Sequence, residues 1–240
     1  MRASLSRHLA GVTVAGILVV ALAGCAGGSD AVSSSAVAES VTVSQVAGDG
    51  TLLIAAMLPG TTDDSSYTDA VEAGVQLAVR DIEASGLGPA VSLVLRDAGT
   101  STEVPEGADV VYFPFLGEAE APTGVVVAQV GDAPVTASDD FVARLEAISP
   151  LLEDSRYAAE SYDAVIVAAL ADLVAGSDAA VSVGSALPLV SVSDGYACTS
   201  FGDCATALSE GESIHYVGQS GTAERSADGL AVGDLSLALF

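Results

Sequence analysis

Few side chains in this chain can do covalent or metal chemistry. There are three cysteines, Cys25, Cys198 and Cys204, and two histidines, His8 and His215. The Gly-x-Ser-x-Gly motif that presents a nucleophilic serine is absent from the sequence. His215 has no acid or nucleophile at a spacing that indicates a catalytic partner. The sequence therefore predicts neither an enzyme nor a cofactor.

Metal binding is not predicted either. Asp63, Asp64 and Asp69 lie close together, but they lack the alternating acids and the central glycine of a calcium loop. A solvated acidic loop is the preferred interpretation. A zinc site needs more His or Cys ligands than this chain supplies.

The N-terminus has the pattern of an export signal. Arg2, Arg7 and His8 give a basic start, and residues 9–24 form an unbroken stretch of apolar and small residues. This stretch is shorter than the ~20 residues that a membrane-spanning helix needs. A basic start, a short apolar stretch and small residues at its end are typical of a cleaved signal peptide.

The end of that stretch, Leu22-Ala23-Gly24-Cys25, resembles the lipobox of bacterial lipoproteins. The resemblance implies that residues 1–24 are a lipoprotein signal peptide and that Cys25 carries the lipid. The protein would then be anchored in the cell membrane on its extracytoplasmic face. The alternative is an ordinary signal peptide in which Cys25 is incidental. Residues 25–50 are rich in Gly, Ser and Ala and predict a flexible tether before a domain at 51–240.

Cys198 and Cys204 remain as an even pair in an exported protein, where disulfides persist. The segment between them is long enough for a loop to close. We predict a disulfide between the two.

The charge of the chain excludes two classes of partner. Every basic residue is an arginine, seven in all, against 32 acidic residues, for a formal net charge of −25. A chain of this charge repels nucleic acid and anionic lipid headgroups, so we expect membrane contact through the lipid anchor only.

Apolar patterns predict an alternation of strands and helices. Residues 51–58 read as a buried parallel strand, residues 67–82 have helical spacing and stop at Ser85-Gly86, and residues 91–95 form a second strand. This order is typical of a βαβ unit in a parallel sheet.

The rest of the chain continues the alternation. A strand is predicted at 108–115, a strand or helix at 125–130, and helices at 141–148 and 157–173. Short strands are predicted from residue 180 onward, the last at 234–240. The whole predicts an α/β fold.

Four sets of residues resemble a known family. They are 58–61 with Tyr67, 73–82 and 93–97; then 108–120; then 157–164; and last 198–204 with 214–216 and 218–221. In this order they resemble type I periplasmic solute-binding proteins, the leucine/isoleucine/valine-binding relatives that serve ABC importers. Residues 108–120 resemble a strand and loop of that family's second lobe.

The chain is shorter than the family at two places. Little sequence separates 97–100 from the second-lobe strand, and a second stretch is missing between Gln129 and Phe141. The resemblance therefore implies a type I periplasmic-binding-protein fold with most of the first lobe and a reduced second lobe.

The resemblance also implies a ligand site. Ser65, Ser66 and Tyr67 follow the first strand, and Phe115 and Glu118 follow the second-lobe strand. Open α/β sheets bind ligands beyond the carboxyl ends of their strands. The alternative for Tyr67 is a ring packed on the core. For Ser65 and Ser66 the alternative is helix capping, and for Glu118 it is solvation.

The function implied is that of a lipid-anchored extracytoplasmic solute-binding component of an ABC importer. Its ligands would be branched-chain or other amino acids and similar small polar molecules, and its partner an ABC permease. The alternative is a surface lipoprotein that retains the scaffold without ligand binding, as an interaction module or a degenerate remnant. We expect weak amino-acid binding, because the missing segments hold most of the groups that pair with a zwitterion.

Overall fold

The computed structural model describes residues 41–58, 67–97, 103–114, 120–131 and 133–240. Within these ranges the chain forms a mixed seven-stranded sheet, a two-stranded sheet and five α-helices. The predicted α/β class is confirmed.

The sheet begins with β1 (Leu52–Leu58), α1 (Thr68–Ser85) and β2 (Val91–Asp97). β1 and β2 pair in parallel, as predicted. Every side chain of β1 is apolar. This suits a central strand, which pairs with β2 and β3 at its two edges and packs into an apolar cluster on each face of the sheet. α1 ends at Gly86, whose φ of 65° lies in the left-handed region that glycine adopts without steric cost.

The next two strands extend the same sheet. β3 (Val110–Phe113) pairs in parallel with β1, and β4 (Val126–Val130) pairs in parallel with β3. The prediction that 108–120 belongs to a second lobe is therefore wrong for its strand. The connection from β2 to β3 is long enough to cross β1 and bring β3 beside it. The described residues between 41 and 240 also belong to one compact unit.

The C-terminal strands complete the sheet in antiparallel fashion. β9 (Leu235–Leu239) pairs with β4, and β8 (Gly229–Val232) and β7 (Ala223–Arg225) follow outward. The strand order is β2-β1-β3-β4-β9-β8-β7. β5 (Tyr196–Cys198) and β6 (Ile214–Tyr216) form the separate two-stranded parallel sheet.

The region after residue 180 is more helical than predicted. It holds α4 (Ala180–Ala186), a 3-10 turn at Leu187–Val190 and α5 (Phe201–Ser209). Ser200 caps α5, because its hydroxyl accepts the backbone N–H of Asp203 at 3.3 Å.

Two other helices match their predictions closely. α2 (Asp139–Glu146) overlaps the predicted helix at 141–148, and α3 (Ala158–Ala175) overlaps the one at 157–173. α3 is buried along nearly all its length and is apolar on every side apart from a few acids and one serine. Such a helix belongs to the interior of a domain.

The two faces of the sheet are covered differently. Residues from all five helices join the larger apolar cluster, which lies on the face of Ile54, Tyr112 and Ala128. The opposite face, with Met57 and Phe113, has a smaller cluster that includes no residue of the described helices.

The segment before β1 is attached to the domain. The amides of Ser44 and Val46 donate to Ser185 Oγ and Ser182 Oγ at 2.8 and 3.0 Å. Asp178 Oδ2 accepts the amides of residues 49–51 at 3.0 to 3.1 Å. Residues 43–51, which belong to the predicted tether, therefore lie against the domain.

Within the described residues, no single helix has the length and hydropathy to cross a membrane. α3 and the segment Ala180–Val190 pass that test only when taken together, and they are bent by 96° at their junction.

Candidate functional site

Of the residues predicted to bind ligand, only Tyr67 is among the described residues. Ser65, Ser66, Phe115 and Glu118 lie outside them, and so does the predicted lipid-bearing Cys25. The roles of these five residues remain predictions.

Tyr67 immediately precedes α1, on the carboxyl side of β1. It is buried, and its ring contacts Tyr157 edge to face with 5.2 Å between centroids. The guanidinium carbon of Arg156 lies 5.7 Å from the centre of the Tyr67 ring. The ring is thus part of the core, as the packing alternative predicts.

Tyr157 has an unusual backbone conformation. It is the N-cap of α3, with a φ of 66°, and it is the only non-glycine residue with positive φ in the described part of the chain. The left-handed conformation costs a residue with a side chain about 1–2 kcal/mol. Residues held in this way are concentrated at functional sites.

Glu160, three residues further along α3, is fully buried. Its Oε1 accepts the backbone N–H of Val135 at 2.7 Å, whereas Oε2 has no hydrogen-bond partner among the described residues. Burial raises the pKa of this carboxyl, the Val135 N–H opposes the rise, and the negative charges of Asp163 and Asp234 add to it.

Tyr112 of β3 is a second buried side chain that lacks a hydrogen-bond partner. Its side chain is fully buried, and its hydroxyl also has no hydrogen-bond partner in the described ranges. Burial raises the pKa of Tyr112 well above its usual value, and the charge of Glu160 adds to the rise. The helix that carries Glu160, α3, also packs against β3, which carries Tyr112.

Both residues lie near the carboxyl end of the parallel strands. Tyr112 is the last but one residue of β3, and Val135 follows β4. From β1 the chain goes to β2 on one side, whereas β3 and β4 lie on the other. Ligands of open α/β sheets bind at such a switch point, outside the carboxyl ends of the strands.

A second buried acid on α3 is fully paired. Asp163 accepts the Tyr216 hydroxyl, the amide of Gln219, and both the amide and the hydroxyl of Ser220. Since all these donors come from the segment around β6 and the turn after it, Asp163 is a structural residue that joins this segment to α3.

Another group of acids lies beside the segment that enters β1. Asp49, Asp109 and Asp178 line an open depression of about 500 Å³. Asp109 and Asp178 each accept backbone amides, and Asp172 is buried nearby. Burial raises the pKa of Asp172 to about 6, with additional effects from Asp178 and Asp109.

The described residues contain no group of three His, Cys, Asp or Glu side chains that could hold a metal ion. Asp69 lies in the first turn of α1, while Asp63 and Asp64 lie outside the described residues.

In the part of the chain that the structure describes, Ser191 and His215 are a serine and a histidine that lie close together. Ser191 Oγ lies 3.4 Å from His215 Nδ1, but its hydroxyl donates to the Ala223 carbonyl at 2.6 Å. Because a hydroxyl has one proton, this geometry does not direct that proton to the histidine.

The Sγ atoms of Cys198 and Cys204 lie 2.04 Å apart, which is the distance of a disulfide. Cys198 ends β5 and Cys204 lies on α5, so the bond joins the small sheet to that helix.

Comparisons with protein-family models, curated proteins and solved structures find no match to this chain.

Sequence reasoning missed both Glu160 and Tyr112. Glu160 stands near the start of a helix, where an acid ordinarily faces solvent and stabilises the helix dipole. One signal was available: Glu160, like Asp163, interrupts an otherwise apolar helix. A tyrosine in a buried strand likewise needs a partner for its hydroxyl.

Proposed function

We propose that this chain is a lipid-anchored extracytoplasmic protein that binds a small polar solute for an ABC importer. The observation that supports this best is the pair of buried, unpartnered polar groups on Glu160 and Tyr112, at the edge where parallel sheets bind ligands. Buried polar atoms ordinarily have a hydrogen-bond partner, and a bound solute would provide one.

We further propose that the domain is a shortened relative of the type I periplasmic solute-binding proteins. The parallel strands β2-β1-β3-β4 and the position of α1 after β1 support this relationship, as do the sequence resemblances in β1, α1 and α3. The solute would then bind at the edge of one sheet and not between two closing lobes, because β3 lies beside β1.

Membrane attachment rests on Cys25. Residues 44–49 of the described domain lie against α4 and the turn before it, and Val43 packs on the core. A flexible segment between Cys25 and Val43 would hold the domain close to the membrane, since such a chain spans roughly 25 Å.

Two measurements test this function. Cell fractionation of the Cys25→Ser variant should find the protein released from the membrane or unprocessed, whereas wild-type retention would contradict lipid anchoring. Calorimetric titration of the detergent-solubilised protein against amino acids and small amines should detect at least one ligand. A solute that binds only the native state also raises the midpoint of thermal unfolding.

A second candidate function is an interaction module without a solute. The position of β3 beside β1 in one seven-stranded sheet favours it, because a permease that recognises the closure of two lobes would find no such closure between these strands. If no solute binds while the protein remains folded and membrane-bound, this second function replaces the first.

A further inference from the structure

We propose that the solute of this protein is a small primary or secondary amine, bound through its ammonium group to Glu160 and Tyr112. This inference rests on the proposed solute-binding function and identifies the chemical class of the ligand. It assigns a ligand role to Glu160 Oε2 and to the Tyr112 hydroxyl, the two unpartnered atoms described above.

The first argument concerns charge. Glu160 is fully buried, and the carboxylates of Asp163 and Asp234 are close enough to act on it. The three ion pairs between described side chains are Arg96 with Glu103, Arg144 with Asp81, and Arg156 with Asp154. Glu160 therefore has no cationic partner among the described residues. An isolated buried carboxylate is costly, and a ligand cation reduces that cost.

The second argument concerns hydrogen bonding. Glu160 Oε2 can only accept a hydrogen bond when it is ionised, and the Tyr112 oxygen can accept one as well. A primary ammonium has three N–H donors and could satisfy both atoms. A quaternary ammonium has the charge but no donor, so it would leave both atoms unpaired.

The third argument concerns the aromatic rings at the start of α3. Tyr157 is the N-cap of α3, three residues before Glu160, and its ring contacts the Tyr67 ring. Aromatic faces attract organic cations, and rings combined with a carboxylate are suited to an alkylammonium.

The fourth argument concerns the cationic partner that the carboxylate of an amino-acid ligand would need. Arg156 is a candidate for the ligand carboxylate, because it lies over Tyr67, whose ring contacts Tyr157. Its guanidinium, however, already binds Asp154 through Nε and Nη2, both at 2.7 Å. The chain as a whole also has a formal net charge of −25, which disfavours anionic groups. A simple amine should therefore bind better than a zwitterion.

Four probes distinguish these classes in calorimetric titrations of the full lipoprotein, purified from membranes in detergent. Propylamine and 1,4-diaminobutane present primary ammonium groups, tetramethylammonium presents a quaternary one without any donor, and leucine presents an ammonium with a carboxylate. We expect the primary amines to bind and to raise the unfolding midpoint. Tetramethylammonium should bind at least about tenfold more weakly, which is the effect of losing one charge-assisted hydrogen bond. Leucine should also bind at least about tenfold more weakly, because its carboxylate would be left without a cationic partner.

Variants test the residues. Glu160→Gln keeps the size of the side chain and removes its charge, and should weaken amine binding by about tenfold or more. Tyr112→Phe should weaken it by roughly fivefold. Glu146→Gln, an exposed acid on α2, is the matched control and should bind amines as wild type does. Thermal unfolding without ligand verifies that each variant is folded.

Three results would overturn the inference. If leucine binds more tightly than the amines and the Glu160→Gln substitution does not change leucine binding, the protein binds a solute, but Glu160 does not hold its ammonium group. If amines bind equally to wild type and Glu160→Gln, the site is elsewhere. If none of the probes binds, and Glu160→Gln merely changes the unfolding midpoint, the two atoms are paired by buried water only and the solute-binding function fails too.

Discussion

The Tyr216 hydroxyl donates a hydrogen bond of 2.7 Å to Asp163 Oδ1, and both side chains are buried. The amide of Gln219 donates to the same oxygen at 3.0 Å, while the amide and hydroxyl of Ser220 donate to Oδ2 at 2.6 Å. One carboxylate of α3 thus holds β6 and the turn after it. Gly218 in this turn has no room for a side chain, because an added Cβ would lie 2.4 Å from Asp163 Oδ2.

Asp163→Ala should destabilise the protein strongly. The substitution leaves three donors without an acceptor in the interior, whereas the Ser220 hydroxyl can still donate to the Val232 carbonyl at 3.2 Å. We expect a loss of at least about 3 kcal/mol in the free energy of unfolding. Urea unfolding followed by circular dichroism measures it. Tyr216→Phe removes a single donor and should cost only about 1 kcal/mol. Equal losses for the two variants would show that Asp163 does not have this central role.

Gly74→Ala should disturb the contact between α1 and α3. A Cβ at this position would lie 2.2 Å from Ser161 Oγ and 2.4 Å from the Ala158 carbonyl oxygen. Since the carbonyl belongs to the backbone of α3, the helices must separate, at a cost of about 1–3 kcal/mol.

Gly202→Ala is the matched control for that helix contact. A Cβ on Gly202, which lies in α5, would have its nearest neighbour at 3.6 Å. Replacing a helical glycine with alanine in open space stabilises a helix by up to about 1 kcal/mol. A stabilising Gly74→Ala substitution would contradict the close packing of α1 against α3.

The sequence predicted the elements whose patterns are local. β1 is a continuous apolar run before Pro59-Gly60, and α1 has one apolar stripe and a glycine at its end, so each could be recognised alone. α4 was missed because it is only seven residues long and contains serines and Gly184, which are typical of loops.

What the sequence could not predict is which elements become neighbours. Residues 108–115 predict a strand, but nothing in them indicates that the strand pairs with β1 and not in a second lobe. The candidate site shows the same limit, because Glu160 and Tyr112 are separated by nearly fifty residues. The two unpartnered atoms form one candidate site because α3 packs on β3, and neither sequence segment indicates that packing.

The predicted Cys198–Cys204 bond can be tested in protein from the exported fraction. Mass spectrometry of a non-reduced digest should find the two peptides joined, and two free thiols would refute the prediction. Because the loop is short, we expect reduction or a double Cys→Ser substitution to cost only about 2 kcal/mol of unfolding free energy. The double variant should be less stable than oxidised wild-type protein and as stable as reduced wild-type protein, which is therefore the control.

The stability of the protein should depend on pH through Asp172. This side chain is 7% exposed, its Oδ2 has no partner among the described residues, and burial raises its pKa to about 6 from an ordinary value of 3.8. A carboxyl whose pKa is raised by folding holds its proton more tightly in the folded state. Its favourable contribution is therefore complete below pH 3.8 and is lost as the pH rises through about 6.

Asp172→Asn isolates this effect from other titrating groups. At pH 7.5 we expect the variant to exceed wild type by up to about 3 kcal/mol in unfolding free energy, the equivalent of the raised pKa. The difference should shrink steadily as the pH is lowered to about 4, where the wild-type carboxyl is protonated in the folded protein. Asp194→Asn, at an exposed position, should differ from wild type by less than about 0.5 kcal/mol throughout. A difference for Asp172→Asn that is the same at pH 4 and pH 7.5 would show that the substitution acts through packing and not through the charge.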